Sequence, residues 1–395
     1  MSVSNTPRSY GTVTKTFHWV TAGLILVIAP LGIIAERLPY ATDAELAVKA
    51  QLFSAHKTLG VIVFAVALAR ILWALTQTKP GDLNHAHKVQ SALAAVAHWT
   101  LYISLVAVPL TGWVHHAATS GFAPLWLPIG QNLPLVPKSE SIAETMAALH
   151  WLFGKIMIAS ILLHIAGALK HHFIDKDATL QRMWFGKTDA PLMPAHRGSF
   201  AAPVGAALIF ALATGGAATA GLFRDHDSVA GAALAAVASE WTVTEGQIAI
   251  SVTQLGSPVA GSFTDWTAAI SFDPTATGVA GEVTTTIAIP SLTLGSVTSQ
   301  AMGADFFDSA TYPTATFTGA ILADAGRYTA DGVLTIKGAT VPVSFPFDLT
   351  VADDKAEMSG TLTLDRRDFG IGASMADESS LGFAVDVTLS VSATR

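Results

Sequence analysis

His150 and His164 are fourteen positions apart within a long apolar run, His150 to His172. At about 100° and 1.5 Å per residue, both project from nearly the same helix face, roughly 21 Å apart along the axis. That is most of the way across a bilayer's hydrocarbon core of about 30 Å. A buried imidazole needs a partner, and an ionisable residue within a spanning helix points to function. Two imidazoles on one face at two depths are suited to two metal centres stacked across a membrane. Haem iron with axial histidines is the natural candidate.

The composition agrees with a membrane setting. Of 395 residues, 51% are hydrophobic and only 13% charged, and mean hydropathy is +0.48. There is no cysteine, which excludes disulfides, thiolate metal sites, iron–sulfur clusters and covalently attached haem. Fifteen of the 22 basic residues but only 9 of the 29 acidic ones precede position 224. Twelve of the 13 histidines lie at or before His196, and the thirteenth is His226. Metal chemistry therefore belongs to the first half, and an acidic domain of another kind is expected in the second. The polar N-terminus carries no small-residue cleavage site, so the first spanning helix is expected to serve as the address.

Four apolar runs, about 17–35, 53–75, 92–114 and 148–169, are each near the ~20 residues needed to span. The third holds Pro109 and Gly112, a kink that membrane helices tolerate. A fifth run, Phe200 to Phe223, carries no charge and is expected to span; its Ala/Gly content also fits a linker. Trp184 follows the fourth run as a headgroup anchor. Lys and Arg cluster at Arg8, Lys15, Lys79 and Lys88, and again at Lys170, Lys176, Arg182, Lys187 and Arg197. The opposite loops mix Arg37, Lys49 and Lys138 with five acidic residues. By the positive-inside rule the N-terminus is cytoplasmic and a fifth span carries the second half to the outer side.

Orientation sorts the histidines by depth. His56 and His150 fall on the outer side; His18 and His164 fall on the cytoplasmic side. Two bis-histidine haems follow, with His98 as an alternative to His18. Gly60 and Gly154, four residues after His56 and His150, would let a flat macrocycle lie against the backbone. His115 and His116 mark the outer end of the third helix, and His85, His87, His171, His172 and His196 are expected at the interface. Arg70 shares the His56 face at the inner depth, either snorkelling or pairing with a haem propionate. Lys155, one turn below His150, is expected to meet a propionate, substrate or proton.

The elements TFHWV, AHKTLG, AHWTLY, VPLTGW, LHWLFG and LLHIAGALKHHF together resemble the bacterial b-561-type dihaem cytochromes, over about residues 8–187. The resemblance implies a four-helix inner-membrane bundle with two b haems on His18, His56, His150 and His164. It also implies exchange of electrons with ubiquinone and, in some members, oxidation of superoxide at the outer face. Hydrogenase and formate dehydrogenase cytochrome subunits share this plan. Lys155 matches no family role.

The second half alternates with a period near two in eight stretches: 243–254, 261–272, 283–294, 314–322, 328–336, 341–351, 356–364 and 383–391. With a helical interruption near 301–307, they predict a closed antiparallel barrel that either holds an apolar ligand or is filled by its own side chains. The strings ADFFDSATYPTATF, GVLTIKGATVPVSFPFDL and LDRRDFGIG resemble YceI-like domains over about 240–393. That implies a lipocalin-like barrel binding isoprenoid lipids, quinones included. A histidine frequent in the first strand region of such domains is replaced here by ISVTQLG. Phe263, Phe306, Phe307, Phe317 and Phe345 are the expected pocket wall.

The domains read as 1–190 for the cytochrome, 191–239 for the fifth span and linker, and 240–395 for an outer, periplasmic barrel. The expected function is quinone-linked oxidoreductase chemistry in the inner membrane. Partners are the quinone pool, an isoprenoid lipid and a small reductant such as superoxide; nucleic acid is not expected. An isoprenoid carrier with an accessory haem domain, and a quinol-oxidising subunit of a larger complex, are the competing readings. The linker Arg224 to Ser239 would reach roughly 20–24 Å if flexible.

Overall fold

The computed structural model describes residues 2–81, 83, 88–119, 123–186, 191, 200–223 and 234–395. His85, His87, Lys187, His196, Arg197, His226 and residues 224–233 of the expected linker lie outside these. The chain forms two units. The first comprises Met1–Arg37, Gln51–Ala118 and Leu125–Asp225, and the second Leu38–Ala50, Thr119–Pro124 and His226–Arg395.

Among the described residues before the first strand, the helices are α1 (Thr12–Arg37), α2 (Asp43–Leu75), α3 (Lys88–Ala118), α4 (Glu140–Lys170), a short α5 (Thr179–Met183) and α6 (Ala201–Thr219). All but α5 are long and apolar enough to cross a membrane. Their outward side chains stay exposed, as at Leu26, Leu72, Leu162 and Leu212, which is the surface that lipid would cover. Small and hydroxyl residues are buried between helices. Thr21, Thr100 and Ser104 each return their hydroxyl to a carbonyl of their own helix, so these three buried hydroxyls keep a partner. The fifth long helix, α6, packs on α3 and α4, with Phe210 against Phe153 at 5.1 Å.

Two helices begin well before their apolar windows. At α2, Glu45 accepts from the Ala41 and Thr42 backbone N–H groups while Thr42 accepts from the Glu45 N–H, a reciprocal capping box. At α4, Ser139 caps Ile142. Helix-forming polar turns thus extend both helices, and His56 and His150 sit inside them rather than at their starts. After α4, a π-helical turn, His171–Asp175, leads to α5. There Lys15 donates to the Trp184 carbonyl at 2.7 Å and Trp19 to that of Met183 at 2.8 Å, so this tail is held on α1.

The second unit is an antiparallel sheet of ten strands. These are β1 (Thr242–Gln254), β2 (Ser257–Phe263), β3 (Trp266–Phe272), β4 (Gly278–Ala288), β5 (Leu292–Thr293), β6 (Thr314–Asp324), β7 (Arg327–Ile336), β8 (Ala339–Ala352), β9 (Lys355–Asp365) and β10 (Leu381–Thr394). A short helix, α7 (Thr298–Ala301), interrupts them. The hydrogen-bonded order is β3-β4-β6-β7-β8-β9-β10-β1-β2-β5. The ladder is therefore open, which corrects the expectation of a closed barrel: β3 and β5 are its edges. It curls until the backbone N–H groups of Glu240 and Trp241, just before β1, donate to Ile270 of β3 at 3.0 and 3.3 Å. Two stretches expected as single strands are each split. Thr264 and Asp265 separate β2 from β3, and Pro290, which cannot donate to a ladder, stands between β4 and β5.

The two ends of the barrel differ. At one end the connections are short, and Trp241, Phe272, Ile321 and Ala393 pack together. At the other, two long connections, 289–313 and 366–380, cover the opening. They are stitched by Gly372 N–H to Asp305 O at 2.7 Å, and by Lys337 Nζ to Asp305 O and Gly370 O at 3.0 and 3.2 Å. The segment Leu38–Ala50 belongs to this unit: Leu46, 1% exposed, packs with Met375 and Leu381, and Ser374 donates to Ala41 O at 2.6 Å. Part of the expected linker is fixed too, since Leu234 N–H meets Asp265 and Ser239 exchanges bonds with Ile270.

Candidate metal centres and an apolar cavity

In the first unit the histidines of four helices come together in two groups. His56 of α2 faces His150 of α4, with ring centroids 6.1 Å apart and planes at 88°. Both rings are seated alike. His56 Nδ1 donates to Ile28 O of α1 at 3.0 Å, and His150 Nδ1 to Val108 O of α3 at 2.8 Å. A carbonyl only accepts, so Nδ1 carries the proton and Nε2 keeps its lone pair. Each carbonyl stands four residues before a glycine. A Cβ on Gly32 would lie 2.6 Å from His56 Cε1, and one on Gly112 would lie 2.9 Å from His150 Nδ1. The missing side chains uncover helical carbonyls for a second bond.

The glycines that touch the rings are therefore on the neighbouring helices. At Gly60 and Gly154, by contrast, an added Cβ would meet only Ile28 at 3.6 Å and no protein atom within 4 Å, respectively. The signal for Gly32 and Gly112 was in the sequence: each follows a proline closely, as Pro30-Leu31-Gly32 and Pro109-Leu110-Thr111-Gly112.

The second group holds three rings. His18 of α1 lies 6.1 Å from His164 of α4, at 60°, and His98 of α3 lies 5.1 Å from His164, at 68°. His98 is exposed, whereas His18 and His164 are half-buried. Arg70 places its guanidinium 5.4 Å over the Tyr102 ring and within electrostatic reach of His18 and His164. Lys155 is exposed, its Nζ 5.2 Å from the Trp151 ring centroid. His115 donates to Ala143 O at 2.8 Å and lies tilted against His116, ring centroids 4.7 Å apart. Sequence reasoning passed over Lys57, which follows His56, is 8% exposed and lies within electrostatic reach of His115 and His116. Its signal was the motif AHKTLG itself. His171 bonds Asp177 at 2.6 Å, with Asp175 close by, while His172 is exposed.

These donor sets fit haem iron. In each pair the ring centroids stand 6.1 Å apart, which leaves room for an ion between the two imidazoles. At His56 and His150 the other ring nitrogen donates to a carbonyl, the outer-shell arrangement that metal-bound histidines use.

The second unit encloses a cavity of ≈ 300 Å³. Phe263, Phe306, Phe307, Phe317 and Phe345 all line it. Its polar lining is sparse: Gln254, Thr285, Gln300, Arg366 and the indoles of Trp241 and Trp266. The Trp241 indole is committed to Phe272 O at 3.0 Å. Burial lowers the pKa of Arg366 below the ordinary guanidinium value, and its N–H groups are taken up by backbone carbonyls.

Comparisons with known proteins divide along the same line. The family model "Prokaryotic cytochrome b561" matches residues 9–186, and "YceI-like domain" matches 240–393. Cytochrome b561 homolog 2 of Escherichia coli K12 is 31% identical over 195 residues, 48% of this chain and 98% of that protein. "Probable superoxide oxidase CybB" of Yersinia pestis is 27% identical over 177 residues, 45% of this chain and 96% of that protein. Among solved structures, BcnA of Burkholderia cenocepacia is 30% identical, covering 38% of this chain and 96% of that chain, with a TM-score of 0.36.

Proposed function

The chain belongs to the prokaryotic cytochrome b561 family and carries a YceI-like domain, and on that premise we propose that it is a dihaem b cytochrome of the inner membrane. It passes electrons between a small outer reductant, superoxide foremost, and isoprenoid quinone. Residues 1–190 are the cytochrome, 191–239 the fifth span and linker, and 240–395 a periplasmic barrel that shields an isoprenoid tail.

One observation carries the reading: two histidine pairs, His56–His150 and His18–His164, each with ring centroids 6.1 Å apart. Haem held there supplies one-electron transfer at iron. The chain's own residues do the rest. The Ile28 and Val108 carbonyls fix the outer rings' tautomer, and Gly32 and Gly112 make room for them. His18 rather than His98 would be the inner partner, because His98 is exposed and its ring lies closer to His164, at 5.1 Å, than the 6.1 Å common to the other two pairs. Arg70 offers a cation to the inner site, where it would favour the reduced state. Lys57, buried within electrostatic reach of His56, would serve a propionate or an anionic reductant at the outer pair, and Lys155, exposed beside Trp151, is the second cation for that role.

The chemistry balances simply. Two superoxide ions each give up one electron and leave as O₂, and the quinone takes two electrons and two protons to become quinol. A relative described as a probable superoxide oxidase supports this choice of reductant. The charge distribution supports a cytoplasmic N-terminus, and five spans then deliver the barrel to the outer side. A long-tailed quinone cannot leave the bilayer freely, since each exposed CH₂ costs about 0.8 kcal/mol, and a tethered barrel offsets that cost.

A pyridine haemochrome assay on the purified chain tests the pairing. Two b haems per chain are expected, falling to one in His56→Ala or His18→Ala. One haem in the wild type, unaffected by either substitution, would overturn it.

A further inference from the structure

Three polar groups of the cavity lining, Gln254, Gln300 and Arg366, are gathered at one end. Gln254 is the last residue of β1 and pairs in the ladder with Leu381 and Ser257. Gln300 lies in α7, within the 289–313 connection over the same end. Gln254 is 4% exposed, yet its Oε1 has no hydrogen-bond partner, and neither has the buried Nε2 of Gln300. An orphaned buried amide is costly, so two that line one cavity mark a place where something else completes the bonds. The far end, around Trp241, Phe272 and Ile321, is apolar.

Arg366 is at the same end and looks like a ready phosphate ligand. Its bonding says otherwise. Nε donates to Gly382 O at 3.0 Å, Nη1 to Ile371 O and Gly372 O at 2.8 and 2.7 Å, and Nη2 to Met375 O and Leu381 O. A guanidinium has five N–H groups, and all five are spent on the chain's own carbonyls. Among the described residues, Arg366 is the one cation in the cavity lining. A phosphate would be buried there without a free counter-charge.

We propose that Gln254 and Gln300 form a head-group site for an uncharged isoprenoid lipid whose ring bears carbonyl or hydroxyl oxygens, of the quinone or quinol type. The head is read at the end covered by 289–313 and 366–380, the tail runs toward Trp241, and phosphorylated isoprenoids are rejected. A quinone or quinol oxygen accepts from Gln300 Nε2, and a quinol hydroxyl donates to Gln254 Oε1. The inference rests on the reading of the barrel as an isoprenoid-binding domain and names what that domain selects.

The test equilibrates the purified full-length chain with equal amounts of ubiquinone, undecaprenyl phosphate and squalene, a headless isoprenoid, and then quantifies retained lipid by mass spectrometry. The same is done for Gln254→Met, Gln300→Met and the double variant. The membrane half contributes equally to all, so differences report the barrel, and squalene retention reports that it is still folded. The wild type should retain ubiquinone over squalene and exclude the phosphate. The double variant should lose about tenfold in the ubiquinone-to-squalene ratio while keeping squalene. If one variant retains no squalene, the other single variant decides. An unchanged ratio, or preference for undecaprenyl phosphate, overturns the head-group site and leaves the lipid-binding barrel standing. A wild type that retains none of the three, or no more than a chain ending before residue 234, overturns both.

Discussion

An imidazole inside an apolar helix bundle keeps its orientation only if its second nitrogen is held, and here main-chain carbonyls hold it. Gly32 and Gly112 make those carbonyls reachable, so their substitution should act on one centre. In Gly112→Ala the new Cβ would lie 2.9 Å from the His150 ring, forcing the ring off Val108 O. Haem content should fall from two to about one per chain, with the remaining spectrum that of the inner site; two retained haems would refute the seating. Arg70 acts at the other depth. A nearby cation favours the more negatively charged reduced state, so Arg70→Gln should lower the inner potential, on the order of 59 mV for a tenfold change in a one-electron equilibrium. Redox titration reads this directly, and no shift at either centre would return Arg70 to a snorkelling role. At this scale the sequence exposed the histidines well, because type, spacing and depth are all written linearly. The seats were harder to see. Gly32 meets His56 across a helix interface, and no spacing along one helix reveals which residue faces it.

At the scale of elements, the long helices followed from hydropathy, but their starts did not. Hydropathy marks where lipid begins, whereas capping at Thr42 and Ser139 marks where the helix begins. In the sheet, alternation continued through breaks it could not register: Val283 to Leu294 keeps its apolar rhythm across Pro290, although the ladder stops there. The long connections were illegible for a related reason, since Arg366 is bonded to residues as distant as Gly382 rather than to an acid. Arg366→Met should leave up to five carbonyls without a donor and lower barrel stability by at least about 3 kcal/mol. Calorimetry should show the barrel transition moving down while the haem spectrum holds; an unchanged transition would mean that water replaces the guanidinium without cost. The span α6 has its own consequence. Protease added to intact spheroplasts should remove the acidic barrel, and a protected barrel would overturn the fifth crossing.

For the whole molecule, the division into a basic, histidine-rich helical half and an acidic β half was plain from composition. The content of the cavity was not. Alternation gives two faces to every strand without saying which is inward, and the curl of the ladder decides it: the five phenylalanines expected at the wall do line the cavity, and Gln254 and Gln300 join them. If the barrel delivers quinone, severing the chain between α6 and Leu234 should slow electron exchange between the haems and the bound ligand. The central claim is that outer reductant and quinone communicate through this one chain. Stopped-flow spectroscopy of the oxidised full-length protein, mixed with superoxide in the presence and absence of ubiquinone, tests it most directly. The account predicts rapid appearance of the reduced b-haem spectrum without quinone, and its decay with matching formation of quinol when quinone is present. Haems that superoxide leaves oxidised, or that stay reduced while quinone remains unconverted, would contradict it.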